Sequence, residues 1–196
     1  MNKKFIHIGV ALFIVVWMLI IGLHSFAFNE GFNPNWSISR YMGLKPWSAI
    51  VFALFNFAII GFVLKYMLQV RKKHHLSIFW LLGVAVMMLA YLGVSFCPIG
   101  LFDEKWGEFG IVSNCHHVFS STLFIAMAVV ALDTMIEIRK GKAMMIYGVF
   151  LLIFAAFSTY CFASGQVSFF WQYVLYFESG YILANLVFYE LIPKEV

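Results

Sequence analysis

Runs of about 20 apolar residues recur along the whole chain, and each is long enough to cross a ~30 Å hydrocarbon layer as one helix. They lie near Phe5–Phe28, Trp47–Val70, Leu76–Ile99, Cys115–Ile138, Met144–Ser164 and Ser168–Ile192. The connections between them are short, so nothing remains for a soluble domain. With 63% hydrophobic and only 11% charged residues, the balance is far more apolar than that of a soluble domain. The expected fold is all-α: residues 1–196 as a single bundle of six transmembrane helices.

The first run follows Asn2-Lys3-Lys4 and superficially resembles a signal peptide. Its apolar core is too long, and it ends without a small-x-small cleavage pattern, so it is expected to stay as the first helix. If the helices alternate in direction, Lys3, Lys4, Lys65, Arg71, Lys72, Lys73, Arg139, Lys140, Lys142 and Lys194 fall on one side, and Arg40, Lys45 and Lys105 on the other. That bias places both termini in the cytoplasm, in a bacterial inner membrane or a eukaryotic-type plasma membrane or endomembrane. Topology therefore accounts for the net charge of +4, and neither a nucleic-acid partner nor a cofactor is expected.

All three cysteines, Cys97, Cys115 and Cys161, approach the outer face in this topology. There Cys97 and Cys115 could close the loop between the third and fourth helices as a disulfide if the compartment is oxidising. Free buried thiols are the alternative. That loop, PIGLFDEKWGEFGIVSN, carries Asp103, Glu104 and Glu108 among Phe102, Trp106 and Phe109. Its aromatics suit the membrane interface. The first outer loop, NEGFNPNWSISRYMGLKPW, contains turn formers and ends with Pro46 at a helix start.

Polar residues inside the apolar runs carry the functional information. Glu178 lies about nine residues into the last run, roughly 14 Å deep, and must be paired, protonated or exposed to a cavity. Trp171, Glu178 and Asn185 share one helical face, with Tyr181 beside it. Asn56 lies at similar depth on the second helix, where an Asn56–Glu178 hydrogen bond could clamp the bundle. In the segment SNCHHVFSS, His116 and His117 are separated by ~100° around the helix, so only one can face inward with its partner one turn on, Ser120 or Ser121. His24 ends the first helix at nearly the same outer depth. Together these groups suggest a polar cavity open to the outer face.

A zinc site would need three or four ligands from His24, His116 or His117, and Asp103 or Cys97, yet no HExxH or paired CxxC spacing is present. No metal is expected. Haem ligation by His7 and His24 is disfavoured because the two do not share a face. A serine hydrolase built on Ser120 or Ser121, a histidine and Glu178 has the right residue types without a nucleophile-elbow pattern.

Two segments resemble a known group. NPNWSISRYMGLKPWSAIVFALFNFAIIGFVL resembles the "I-S-x-x-G … P" entrance to the second helix in the DRAM, Frag and Sfk group of six-helix membrane proteins and their bacterial domain-of-unknown-function relatives, through Ile38, Ser39, Gly43 and Pro46. FCPIGLFDEKWGEFGIVSNCHHVFSSTLF resembles the same group's proline-ended third helix, acidic loop and histidine-opened fourth helix, through Pro98, Asp103, Phe124 and His117, or His116 in its place. The resemblance covers about the first two thirds of the chain and implies membrane lipid handling. The expected contacts are Ser39, His116, His117 and Glu178, with His24, Asn56, Ser120, Ser121 and Asp103 around them. The expected partner is a lipid headgroup or other amphiphile in membrane lipid homeostasis, with homo-oligomerisation possible. The alternatives are a membrane-embedded lipid hydrolase or transferase using a histidine and Glu178, and a transporter of a small solute or proton.

Overall fold

The computed structural model describes residues 2–27, 33–43, 45–97, 111–139, 141–164 and 167–193, and side chains within these except at 20, 21, 23–27, 111, 113, 162, 163 and 171. Every regular element among the described residues is a helix: α1 Lys4–Ala27, α2 Ile38–Gly43, α3 Pro46–His74, α4 Ile78–Phe96, α5 Ile111–Ile138, α6 Lys142–Ser164, α7 Ser168–Gln172 and α8 Val174–Glu190. Pro46–His74, Ile78–Phe96, Asn114–Ile138 and Lys142–Cys161 are long and apolar enough to cross a membrane.

Local chemistry sets several of these boundaries. Lys45 is extended (φ −139°, ψ 143°), as a residue before proline prefers, and Pro46 takes the first turn of α3, where its missing N–H costs nothing. His75 closes α3 in the left-handed region at φ 54° and donates its N–H to the Arg71 carbonyl. Ser77 caps α4 by accepting the Trp80 N–H at 3.1 Å, while its own N–H donates to Glu137 Oε2 of α5 at 2.8 Å.

Two elements depart from the expected pattern. The segment between the first two long helices contains α2, whose cap is Ser37: its Oγ accepts the Arg40 N–H at 3.2 Å. The last apolar run, expected as one helix over Ser168–Ile192, breaks at Tyr173 into α7 and α8. The Leu175 N–H in the first turn of α8 then donates to the Pro34 carbonyl at 3.3 Å. The break thus coincides with a bond to the segment leading into α2. Smaller shifts are the extension of α3 past Val70 to His74 and the start of α5 at Ile111, ahead of Cys115.

The helices α1, α3, α4, α5, α6 and α8 follow one another around a closed ring, each packed against the next and α8 against α1. Short connections make consecutive helices antiparallel neighbours. α2 packs on α1, α3 and α8 at one end. At the other end the chain termini meet the basic turns. Asn2 N–H donates to Gln69 Oε1 at 2.8 Å, Lys3 Nζ donates to the Glu190 carbonyl, His7 pairs with Glu190 at 2.8 Å, and His74 Nε2 bonds the Pro193 carbonyl at 3.1 Å.

The core is largely apolar, and the surface differs from a soluble bundle's in being apolar too. Met18, Leu54, Phe79, Leu89, Val118, Ile146 and Ile153 point outward, while Asn56, Ser95, Thr134 and Asn185 are buried. The interior polar groups are mostly bonded, as a dry interior requires. Trp80 Nε1 donates to Thr134 Oγ1 at 2.8 Å, Tyr66 OH to the Tyr189 carbonyl at 2.7 Å, and Trp17 Nε1 to Ser179 Oγ at 2.8 Å. At Gly93 of α4 an added Cβ would lie 2.3 Å from the Phe119 ring of α5, so glycine is what lets these two helices approach.

Candidate functional site

Glu178 is the fifth residue of α8, about 6 Å from its start. Because α8 begins at Val174, this carboxylate sits in the helix's first two turns and reaches the end of the ring that holds α2. Its Oε2 accepts the Ile38 N–H, the first of α2, at 2.9 Å. An acidic group there satisfies an otherwise unpaired donor. Among the described residues Glu178 Oε1 takes no further bond.

The same carboxylate lines a cavity enclosed by most of the ring. α2 supplies its roof with Ile38, Ser39 and Met42; Phe13 of α1, Phe52 of α3, Tyr91 and Val94 of α4, Ser120, Leu123 and Phe124 of α5, and Ile182 of α8 complete it. The cavity measures about 20 Å³ to the centre of a water-sized sphere. One water needs roughly 10–15 Å³ on that measure, so the room suits one water-sized group and not a whole lipid headgroup.

Its polar groups keep acceptor capacity. Ser39, 1% exposed, shares a hydrogen bond with Ser37 through their hydroxyls at 2.8 Å. Ser120 Oγ donates to the His117 carbonyl at 3.2 Å, which leaves its lone pairs open. The hydroxyl of Tyr91 is buried and has no protein partner among the described residues. Tyr91 was not among the residues expected from sequence. It lies one turn before Ser95, a second polar residue in the same apolar run, and that four-residue spacing is the signal that could have found it.

The other expected residues separate into distinct places. Asn56 does not bond Glu178. Its Nδ2 donates to Ser95 Oγ of α4 at 2.7 Å, and Ser95 Oγ donates to the Tyr91 carbonyl at 2.8 Å. The expected clamp is therefore an α3–α4 clamp, with Asn56 Oδ1 left without a partner. The reason lies in ring order: α3 abuts α4 directly, and α8 lies beyond α1.

Of the two histidines, His116 turns inward, at 2% exposure, and His117 is exposed. The carbonyl of Cys97 accepts the His116 Nδ1–H at 2.7 Å, which fixes the proton on Nδ1. His116 thereby holds the C-terminal end of α4. Neither it nor Glu178 bonds the other, so that acid–base pair is not assembled in this structure. Ser121 is half-buried and lies outside the cavity lining. Asp103, with Glu104, Glu108 and the loop aromatics, lies outside the described residues, as do the side chains of His24 and Trp171.

Cys97, Cys115 and Cys161 are free thiols, so the Cys97–Cys115 disulfide is not formed here. Burial, reinforced by Cys115, pushes the Cys97 thiol pKa above its usual value. The thiolate that disulfide chemistry needs is accordingly scarce at neutral pH. Among the described residues no three His, Cys, Asp or Glu side chains come together as metal ligands.

No protein-family model, no curated protein and no solved structure matches this chain. The site is therefore read from its own chemistry.

Proposed function

We propose that this chain is a six-span integral membrane protein, both termini cytoplasmic, whose outer-half cavity receives the polar end of a lipid or other amphiphile as part of membrane lipid homeostasis. The observation that carries this reading is the placement of Glu178, Tyr91, Ser39 and Ser120 around one small cavity inside an otherwise apolar ring. An intramembrane carboxylate without a basic partner is costly, and its usual explanation is a functional pathway or ligand. The resemblance to the DRAM, Frag and Sfk group supports the lipid part of the reading, and the basic end formed by the termini, α3 and the α5–α6 turn supports the orientation. Of the anticipated contacts, Glu178 and Ser39 become the central ones, joined by Tyr91 and Ser120. His116 acts by holding the end of α4 beside them.

In the conformation described, α2 roofs the cavity, so a headgroup reaches Glu178 with α2 displaced or inserts only its terminal group. Native mass spectrometry of gently purified protein should find a co-purifying amphiphile that Glu178→Gln loses while remaining folded. Protein that carries no amphiphile in either form would overturn the proposal.

A second reading has one observation of its own. Asn185, 1% exposed, stands two turns along α8 from Glu178 and makes no well-formed hydrogen bond with either amide atom, although the Tyr181 hydroxyl lies close by. Glu178, Tyr181 and Asn185 thus line up along one face, as a relay for a proton or small solute would require. Flux into liposomes that Glu178→Gln abolishes would select this reading.

A further inference from the structure

We propose that the group which enters this cavity is a primary ammonium, carried either by an aminoethyl-type lipid headgroup or by a small free amine. The inference rests on the reading of the Glu178 cavity as a ligand site and names the chemistry it takes.

Charge comes first. Glu178 is the one ionisable carboxyl among the described residues lining the cavity, and no lysine, arginine or histidine lines it. Among the described residues its single protein bond is the Ile38 N–H. A phosphate or carboxylate brought here would meet a like charge with no cation to offset it. An ammonium would supply the missing counter-charge, which a carboxylate removed from water needs.

Donor and acceptor count comes second. An ammonium has three N–H donors and no acceptor. Glu178, Ser39, Ser120 and Tyr91 all line the cavity, and among the described residues Glu178 Oε1 and the buried Tyr91 hydroxyl have no protein partner. The carboxylate contributes acceptors only, and the Ser120 hydroxyl proton goes to the His117 carbonyl, so open lone pairs outnumber the donors left on Tyr91 and the Ser37–Ser39 pair.

Size decides among cations. About 20 Å³ admits one water-sized group. A primary ammonium is compact in this way. Phe13, Phe52 and Phe124 also line the space, and aromatic faces attract quaternary as well as primary cations, but three added methyl groups exceed the room available. The walls therefore discriminate by volume where the charge alone would not.

The test uses the full chain in detergent and in nanodiscs. Thermal unfolding is followed by tryptophan fluorescence in ethanolamine hydrochloride, choline chloride or sodium chloride at equal ionic strength. In parallel, nanodiscs of mixed phosphatidylethanolamine, phosphatidylcholine and phosphatidylglycerol supply lipid for native mass spectrometry. Ethanolamine should raise the unfolding temperature saturably while choline and sodium do not, or phosphatidylethanolamine should be retained over the other two. The first result alone marks a free amine as the source, the second alone a lipid. Glu178→Gln, which keeps an oxygen for the Ile38 N–H, should weaken either effect by about ten- to a hundredfold. Should Glu178→Gln fold poorly, Tyr91→Phe and Ser120→Ala should each weaken it by about threefold to tenfold.

Equal responses to sodium and ethanolamine, or to choline and ethanolamine, would overturn the primary-ammonium assignment. So would preferential retention of phosphatidylglycerol, which would nonetheless leave the headgroup reading standing. Stabilisation by ethanolamine with no lipid retained from any mixture has the opposite meaning: the assignment holds and the amphiphile reading fails.

Discussion

Single buried polar atoms decide how this protein is held together, and they respond to substitution in opposite directions. Asn56, fully buried, depends on Ser95 Oγ at 2.7 Å. Ser95→Ala would leave the amide with neither atom paired, and should cost about 1 kcal/mol, as interhelical hydrogen bonds in membranes do. Tyr91→Phe removes a hydroxyl that already lacks a protein partner, so ligand-free protein should keep or slightly gain stability. Unfolding of both variants in the same detergent checks the contrast, and a Tyr91→Phe protein as destabilised as Ser95→Ala would show that the hydroxyl is bonded after all. Gly93 offers a third test. A methyl there would lie 2.3 Å from the Phe119 ring, and Gly93→Ala should cost about 1–3 kcal/mol, recovered in part when Phe119 is shortened to leucine. The polar residues were legible in the sequence as exceptions within apolar runs, whereas their partners were not. Asn56 could be assigned to Glu178 by depth alone, because depth can be counted along a helix but adjacency cannot.

Among the elements, α2 is the one that joins chain organisation to the site. It is only six residues long, too short to persist without tertiary contacts. Three anchors from outside it are visible: Glu178 Oε2 on the Ile38 N–H, Ser48 Oγ donating to the Met42 carbonyl at 2.8 Å, and the Tyr41 hydroxyl donating to the Asn33 carbonyl at 2.9 Å. If Glu178 pins the start of α2, Glu178→Ala should speed amide exchange over residues 38–43 with little change elsewhere. Glu178→Gln, retaining an acceptor, should leave exchange nearly as slow. Hydrogen–deuterium exchange in detergent separates the two, and uniform behaviour of both variants would mean that packing alone holds α2. The cap of this helix was legible in principle, since Ser37 stands three residues before Arg40, but the surrounding asparagines, glycines and prolines read as turns. The break at Tyr173 had no such signal. Neither glycine nor proline occurs between Ser168 and Glu178, and the correlate seen among the described residues is the Leu175 bond to the Pro34 carbonyl, made by residues far apart in sequence.

The molecule as a whole is legible where chain order dictates it and illegible where side-chain direction does. Apolar runs and short connections suffice for a sequential ring of helices. The same runs are apolar on nearly every side, so they carry no stripe to mark which face is the core, as a helix surrounded by hydrocarbon needs none. The proposed orientation rests on charge instead. Lys3, Arg71, Lys72, Lys73 and Arg139 gather at the end where the termini bond α3 and α8, while Arg40 and Lys45 lie at the α2 end. The proposed orientation keeps these basic residues on the cytoplasmic side, and on that proposal the Glu178 cavity belongs to the outer half. Cysteines introduced one at a time at the exposed positions Arg40 and Lys72, with the three native thiols replaced, give a direct check. A membrane-impermeant maleimide applied to intact cells should label Arg40→Cys at once and Lys72→Cys only after permeabilisation. The reverse pattern would place the cavity on the cytoplasmic side, where its ligand would have to come from the inner leaflet. Labelling of both sites in intact cells would mean that the two ends of α3 lie on the same side, which a 29-residue apolar helix crossing the bilayer forbids.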